Sequence, residues 1–254
     1  MENQQTKLIP SSLHSLRTLL RADFTVQWRQ RRSLIMSLIV PVIFLVSWKS
    51  LIPEIGAAAV LSICIAVGLP AMGLMGYSTS LARDRERGVF QRLRAAPIPT
   101  WVIMASRLIV QVACIAAMAL TTCFFAYVVD KISFSVVNIL LILVASMIGG
   151  LAFIALGQAI VAYILGSDAV NAAARLIYFP IAIVGAIGQI GLFGSEVQKI
   201  VTYSPLGTTK TLLVAAMIPS TIFTHTVLVA FLVTAGYGLF FAFIGIRWFR
   251  WTIA

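Results

Sequence analysis

The sequence predicts an all-α integral membrane protein with six transmembrane helices. Three observations carry that prediction. Apolar residues make up 60% of the 254 positions and charged residues only 11%, with a mean hydropathy of +1.00. A chain whose outside faces water needs far more polar surface. The apolar residues fall into six long stretches, with gaps too short for a folded soluble domain of ordinary size. When the six stretches are crossed in turn, all fourteen arginines fall on the same side. The whole chain, 1–254, therefore reads as a single transmembrane domain.

Residues 1–12 are polar, with no apolar run behind a basic tip, unlike a cleavable secretory signal. Residues 13–32 then form an amphipathic interfacial helix. Leu13, Leu16, Leu20 and Phe24 recur at helical spacing, and Arg17, Arg21, Arg29, Arg31 and Arg32 can meet anionic headgroups. Asp23 and Gln27 interrupt the stripe.

The first span covers about residues 33–51, with a kink expected at Pro41 and Trp48 and Lys49 at its far edge. A short turn holds Pro53, Glu54 and Gly56. The second span, about 55–82, carries Gly68, Pro70, Gly73 and Gly76, which predict bending or close packing. The third span covers about 101–129, with Arg107 placed to snorkel near its start and a tight turn at Asp130 and Lys131. The fourth occupies most of 134–165, longer than the roughly 20 residues a crossing needs, with a break expected at Gly149 and Gly150. After a turn at Gly166, Ser167 and Asp168, the fifth runs over about 171–193 with Pro180 inside it. Residues 194–220 predict an outer helical hairpin, broken at Pro205 and Gly207 and too short to cross, hence interfacial or re-entrant. The sixth span is about 221–246.

Charge then sets the orientation. With the N-terminus inside, the inner segments hold the fourteen arginines and Lys7, and the outer turns hold only Lys49, Lys131, Lys199 and Lys210. Basic residues accumulate on the cytoplasmic side, so both termini are expected in the cytoplasm. The +11 net charge is thus read as orientation. Nucleic acid is not an expected partner, because no helix, strand or aromatic platform is free to read bases.

Enzymatic motifs are absent. Gly207-Thr208-Thr209-Lys210-Thr211 lacks the first glycine and the Gly-Lys pair of a phosphate-binding loop. His14 and His225 are far apart, and no serine sits in a Gly-x-Ser-x-Gly elbow. Cys64, Cys114 and Cys123 lie in apolar stretches at spacings that fit no metal site or disulfide scaffold. The span centres hold no Asp, Glu, Lys or Arg, which disfavours an ion-coupled carrier. Gln111, Gln158 and Gln189 are the notable deep polar residues and are expected to hydrogen-bond between helices. A driving force from elsewhere is implied.

The strongly charged internal segment is residues 83–97. On a continuous helix, Glu86, Val89, Phe90 and Leu93 fall at i, i+3, i+4 and i+7, giving a mostly apolar face among arginines. Such a face suits helix-in-groove docking to a partner. Arg85, Arg87 and Arg92 would add ionic contacts, and Gly88 would allow close backbone approach.

Residues 85–98, Arg-Glu-Arg-Gly-Val-Phe-Gln-Arg-Leu-Arg-Ala-Ala-Pro-Ile, resemble the coupling helix of type-2 ABC exporter permeases. Residues 197–207, Val-Gln-Lys-Ile-Val-Thr-Tyr-Ser-Pro-Leu-Gly, resemble that family's outer motif before the last span. The outer helix departs from the family in opening on Gly194-Ser195-Glu196 rather than Leu-Pro-x-Trp. Six spans and a basic amphipathic helix ahead of them fit as well, so the resemblance covers essentially the whole chain.

The resemblance implies a transport subunit without an ATPase site of its own, in a bacterial-type cytoplasmic membrane. It implies a second permease subunit, a homodimer in preference to a heterodimer, and two separately encoded cytoplasmic ABC ATPase subunits. ATP and Mg would sit on those partners, with no cofactor on this chain. The cargo would be a hydrophobic or amphipathic small molecule, drug-like or lipid-like. In the family, spans 1, 2 and 5 face the dimer axis, which nominates Phe44, Met72, Met75, Tyr77, Tyr178 and Phe179 for the substrate pathway. An ion-coupled carrier or channel, and a membrane scaffold that transports nothing, are the alternatives.

Overall fold

A computed structural model describes residues 12–29, 31–96, 98–189 and 194–249. The polar start with Lys7, Pro97 at the end of the charged segment, the expected end of span 5 at 190–193, and the closing Arg250 and Trp251 lie outside the described residues. Among the described residues every regular element is a helix. Five helices are long and apolar enough to cross a membrane, and a bent pair makes a sixth.

The first helix, Ser12–Arg29, precedes the spans. Leu16 and Leu20 are half-buried, but Leu13 and Phe24 of the expected stripe are exposed. Asp23 points inward instead, and its Oδ2 accepts a hydrogen bond from Ser106 Oγ at 2.5 Å. Hydrogen bonding as well as apolar burial therefore orients this helix.

Span 1 combines Arg31–Ser47 with the short turns Lys49–Leu51 and Ile52–Ile55. Its sharp bend, 48°, falls at Trp48 and not at Pro41. Pro41 sits within the helix and is buried facing Gly68, where an added Cβ would come within 2.5 Å of its ring. The expected turn at Pro53 and Glu54 is helical, with Pro53 in the first turn where its missing N–H costs nothing.

Span 2, Ala57–Glu86, is the centre of the molecule. Of its most apolar 18 residues 78% are buried, against 11% for span 6. Pro70 gives no N–H to the helical ladder, and a π-helical stretch follows at Ala71–Tyr77. Span 4, Val136–Tyr163, crosses it backbone to backbone. A Cβ on Gly73 would lie 2.9 Å from Ile154 N, and one on Gly157 would lie 2.8 Å from Gly73 O. Tyr77 Oη donates to Gln158 Oε1 at 3.4 Å, and Gln111 Nε2 donates to the Met72 carbonyl at 2.9 Å. Two of the three deep glutamines thus tie helices together, whereas Gln189 accepts from Gln198 Nε2 through its backbone carbonyl.

Span 3 is Thr100–Asp130, closed by Lys131 at φ 55°. Span 4 runs unbroken through Gly149 and Gly150, contrary to the expected break. Those glycines instead make room for the side chains of Thr209 and Ile115. Span 5 is Ser167–Gly188, starting earlier than the apolar pattern suggested, since Ser167 and Asp168 belong to its first turn.

The hairpin is Ser195–Thr202 followed by Pro205–Met217. Ser204 Oγ accepts from Gly207 N at 3.1 Å and Pro205 takes the first helical position, a start signal written in the sequence. At the other end Asn138 Nδ2 donates to the Ala216 and Met217 carbonyls, both at 3.0 Å. This helix is too short to cross, yet its buried residues pack among spans 2, 4 and 6. Span 6 is His225–Trp248.

At one end of the bundle, Tyr163 stacks on Trp248 at 5.9 Å, and Phe90 meets Phe249 edge-on at 6.0 Å. Arg83, Arg85, Arg87, Arg92, Arg107 and Arg247 belong to this arginine-rich end. At the opposite end Lys49 pairs with Asp130 at 3.4 Å.

Candidate functional site

Residues 83–96 do not form one helix. Span 2 ends at Glu86, Arg87 and Gly88 turn, and Val89–Ala95 is a separate short helix. Gly88 has φ +66°, a left-handed conformation that side chains with a Cβ adopt only at a cost. The turn interrupts the helical period, so Glu86, Val89, Phe90 and Leu93 do not share the apolar face that the sequence suggested.

Each of these side chains has a definite place. Arg85 is 2% exposed, and its Nη1 and Nη2 donate to the Val161 and Ile164 carbonyls at 2.6 Å each. Carbonyls at a helix C-terminus have no helical partner, and a cation there also complements the helix dipole. Glu86 does the converse at the start of span 5. Its Oε1 accepts from Ser167 N and its Oε2 from Ser167 Oγ at 2.6 Å. Two consecutive residues therefore hold both ends of the turn that joins spans 4 and 5.

Phe90 is fully buried. The Arg107 guanidinium lies 4.9 Å from its ring centroid, and Arg107 Nη1 also donates to Asp84 Oδ2 at 2.5 Å. Val89 and Leu93 line a cavity of about 270 Å³ that Asp23, Gln27, Arg107 and Gln111 also border. The segment's outward surface consists of Arg87, Gln91 and Arg92, with Arg83 and Glu86 beside the turn. The Arg94 side chain lies outside the described residues.

A second, larger cleft of about 730 Å³ opens between spans 1, 2 and 5. Phe44, Met75, Tyr178 and Phe179 line it. Met72 and Tyr77 do not; they face the smaller cavity, 3% and 5% exposed. The π-helical stretch explains the division. Its i to i+5 period stacks Met72 above Tyr77 and Ala71 above Gly76, and so separates Met72 from Met75.

The sequence model described as ABC-2 type transporter matches residues 14–188. The chain belongs to the ABC-2 type transporter family. The match takes in the first helix, spans 1 to 5, the charged segment and both cavities. No curated protein matches the sequence. This ABC-2 protein is thus a multi-pass membrane subunit of an ABC transporter. Members of its family are generally non-catalytic and associate with ABC ATPase subunits. Among the described residues, no three His, Cys, Asp or Glu side chains are grouped to hold a metal.

Several residues of this ABC-2 subunit carry roles that the sequence pattern does not announce. Ser167, a turn residue by sequence, is the anchor of Glu86. Asp84, one charge among many in its segment, is the partner of Arg107. Arg83, Asn171 and Arg175 line the large cleft. For Asn171 and Arg175 a signal existed, because they continue the stripe of Phe179, Ile183 and Ile187 at four-residue steps along span 5.

Proposed function

We propose that this chain is the membrane half of an ATP-driven exporter that moves a hydrophobic or amphipathic molecule out across the cytoplasmic membrane. Two copies of the chain would join two separately encoded ATPase subunits that bind ATP and Mg. The arginine-rich end would be cytoplasmic, as the positive-inside bias requires. Residues 83–96 would be the coupling element.

The observation that carries this reading is the double anchoring by Arg85 and Glu86. A push on the Gly88 turn moves span 2 directly, because the chain is continuous. It also moves spans 4 and 5 through the two anchors, and span 3 through Asp84 and Arg107. Spans 2 and 5 are walls of the large cleft, so the same push changes its width. In this reading Arg87, Gln91 and Arg92 meet the ATPase. Arg85, Glu86 and Phe90 transmit motion inward, while Val89, Leu93 and the first helix support the segment from behind.

Reconstitution tests the reading. The chain and its ATPase in sealed vesicles should accumulate an amphipathic dye only with ATP and Mg, and Arg87→Glu with Arg92→Glu should abolish accumulation. Transport driven by an ion gradient without ATP would favour a carrier. ATPase binding with no transport of any amphiphile would favour a scaffold.

A further inference from the structure

The large cleft is chemically graded along its length. Arg83 in the last turn of span 2 and Arg175 in span 5 line its arginine-rich end, with Asn171, Thr79 and Ser80 between them. Toward the opposite end the lining turns apolar, through Met75, Phe179 and Ile183 to Ile187. Among the described residues no Asp or Glu lines the cleft. Among the described residues neither arginine is in an ion pair, since the three pairs are Lys49–Asp130, Arg107–Asp84 and Lys199–Glu196. Glu86 is the nearby acid that Arg83 feels, and its carboxylate already accepts both Ser167 hydrogen bonds.

Arg175 lies eight residues beyond Ser167, about 12 Å into the span at 1.5 Å per residue. A guanidinium so far along a span faces a polar cavity or a partner group in preference to lipid, and Arg175 is exposed on the cleft wall. From Arg175 to Ile187 the cleft runs a further ~18 Å, a wall that a small inorganic anion would leave uncovered and an aliphatic chain would cover.

We propose that the cleft binds an anionic amphiphile, its phosphate or carboxylate head held by Arg83 and Arg175 and its chain lying along Phe179, Ile183 and Ile187. Guanidinium groups suit this task because their planar forks pair with phosphate and carboxylate bidentately. The inference rests on the exporter reading for its transport meaning but not for the binding itself. It narrows the cargo to lipid-like anions and excludes cationic drugs, which two unpaired arginines repel.

Native mass spectrometry of the purified full chain in a neutral detergent tests this. Dioleoyl phosphatidylglycerol is compared with dioleoyl phosphatidylcholine, which has the same chains and a zwitterionic head. Glycerol phosphate supplies the head alone. Wild type should bind the anionic lipid about tenfold more tightly or better and glycerol phosphate only weakly. Arg83→Ala with Arg175→Ala should remove the preference, and Ile183→Trp should weaken both lipids by obstructing the chain. Lys199→Ala, exposed on the outer hairpin, should leave the preference intact. Equal binding of both lipids to wild type, or a preference that survives the double variant, overturns the proposal. So does glycerol phosphate binding as tightly as the whole lipid, which would mean a simple anion site. Because no ATPase takes part, a failure here is distinct from a failure of the exporter reading.

Discussion

The Glu86 carboxylate embraces the first residue of span 5, taking one hydrogen bond from Ser167 N and one from Ser167 Oγ. Its neighbour Arg85 grips the last carbonyls of span 4. A charged group at a helix terminus satisfies backbone atoms that the helix leaves unpaired and opposes the local dipole. Here the two termini are consecutive in the chain and the two gripping residues are consecutive as well. The end of span 2 is therefore hydrogen-bonded to both sides of the turn between spans 4 and 5.

That fastening predicts uncoupling. Glu86→Ala and Ser167→Ala should each lower transport per ATP hydrolysed severalfold, with ATPase subunits still bound. The double variant should be no worse than the worse single one, because both remove the same contact. Paired measurement of ATP turnover and dye accumulation in vesicles reads this, and additive losses would mean that the two residues act separately.

Gly88 carries the turn at φ +66°. Gly88→Ala or Gly88→Val should cost about 1–2 kcal/mol, the penalty of a left-handed conformation for a residue with a Cβ. Gly88→Asn should be milder, since asparagine tolerates that region best. Thermal unfolding in detergent orders the three variants, and an unchanged midpoint for Gly88→Val would show that the turn is not held as described.

Arg107 serves two neighbours, Asp84 and the Phe90 ring. Both charged side chains of the pair are mostly buried, 13% and 20% exposed. Arg107→Ala leaves Asp84 uncompensated and should destabilise by roughly 2–4 kcal/mol. Asp84→Asn with Arg107→Met should recover part of that loss, because no buried charge then lacks a partner. A double variant less stable than either single one would contradict this.

Close approach of spans 2 and 4 rests on Gly73 and Gly157. Gly73→Leu forces the two backbones apart and should destabilise the chain strongly, by about 3 kcal/mol or more. Gly236, where an added Cβ meets nothing within 4 Å, is the matched control, and Gly236→Leu should stay within about 1 kcal/mol. Expression level and thermal unfolding compare the two.

Much of this was legible in the sequence, and the misses share a cause. Apolar length found the spans and the short hairpin because a bilayer sets a fixed crossing length. It could not say which apolar face meets protein and which meets lipid, since both are apolar. Hence Met72 and Tyr77 were grouped with Met75, and only the π-helical stretch at Ala71–Tyr77 separates them. Glycine pairs read as breaks at Gly149 and Gly150 proved to be contact points. Glu86, Val89, Phe90 and Leu93 share a face only on an unbroken helix, and the Gly88 dihedral that breaks it is invisible to periodicity. Span 5 started early because its first turn, Ser167 and Asp168, is polar and is completed by a carboxylate 81 residues away in the chain.

The central claim is that the outward surface of residues 87–92 receives the ATPase. Site-specific photo-crosslinking in native membranes tests it directly. A photoreactive residue at Gln91, exposed beside Arg87 and Arg92, should capture an ABC-type ATPase subunit identifiable by mass. The same residue at Lys131, in the turn after span 3 at the opposite end, should capture none. Absence of any ATPase crosslink at position 91, or equal capture at 91 and 131, would contradict the account.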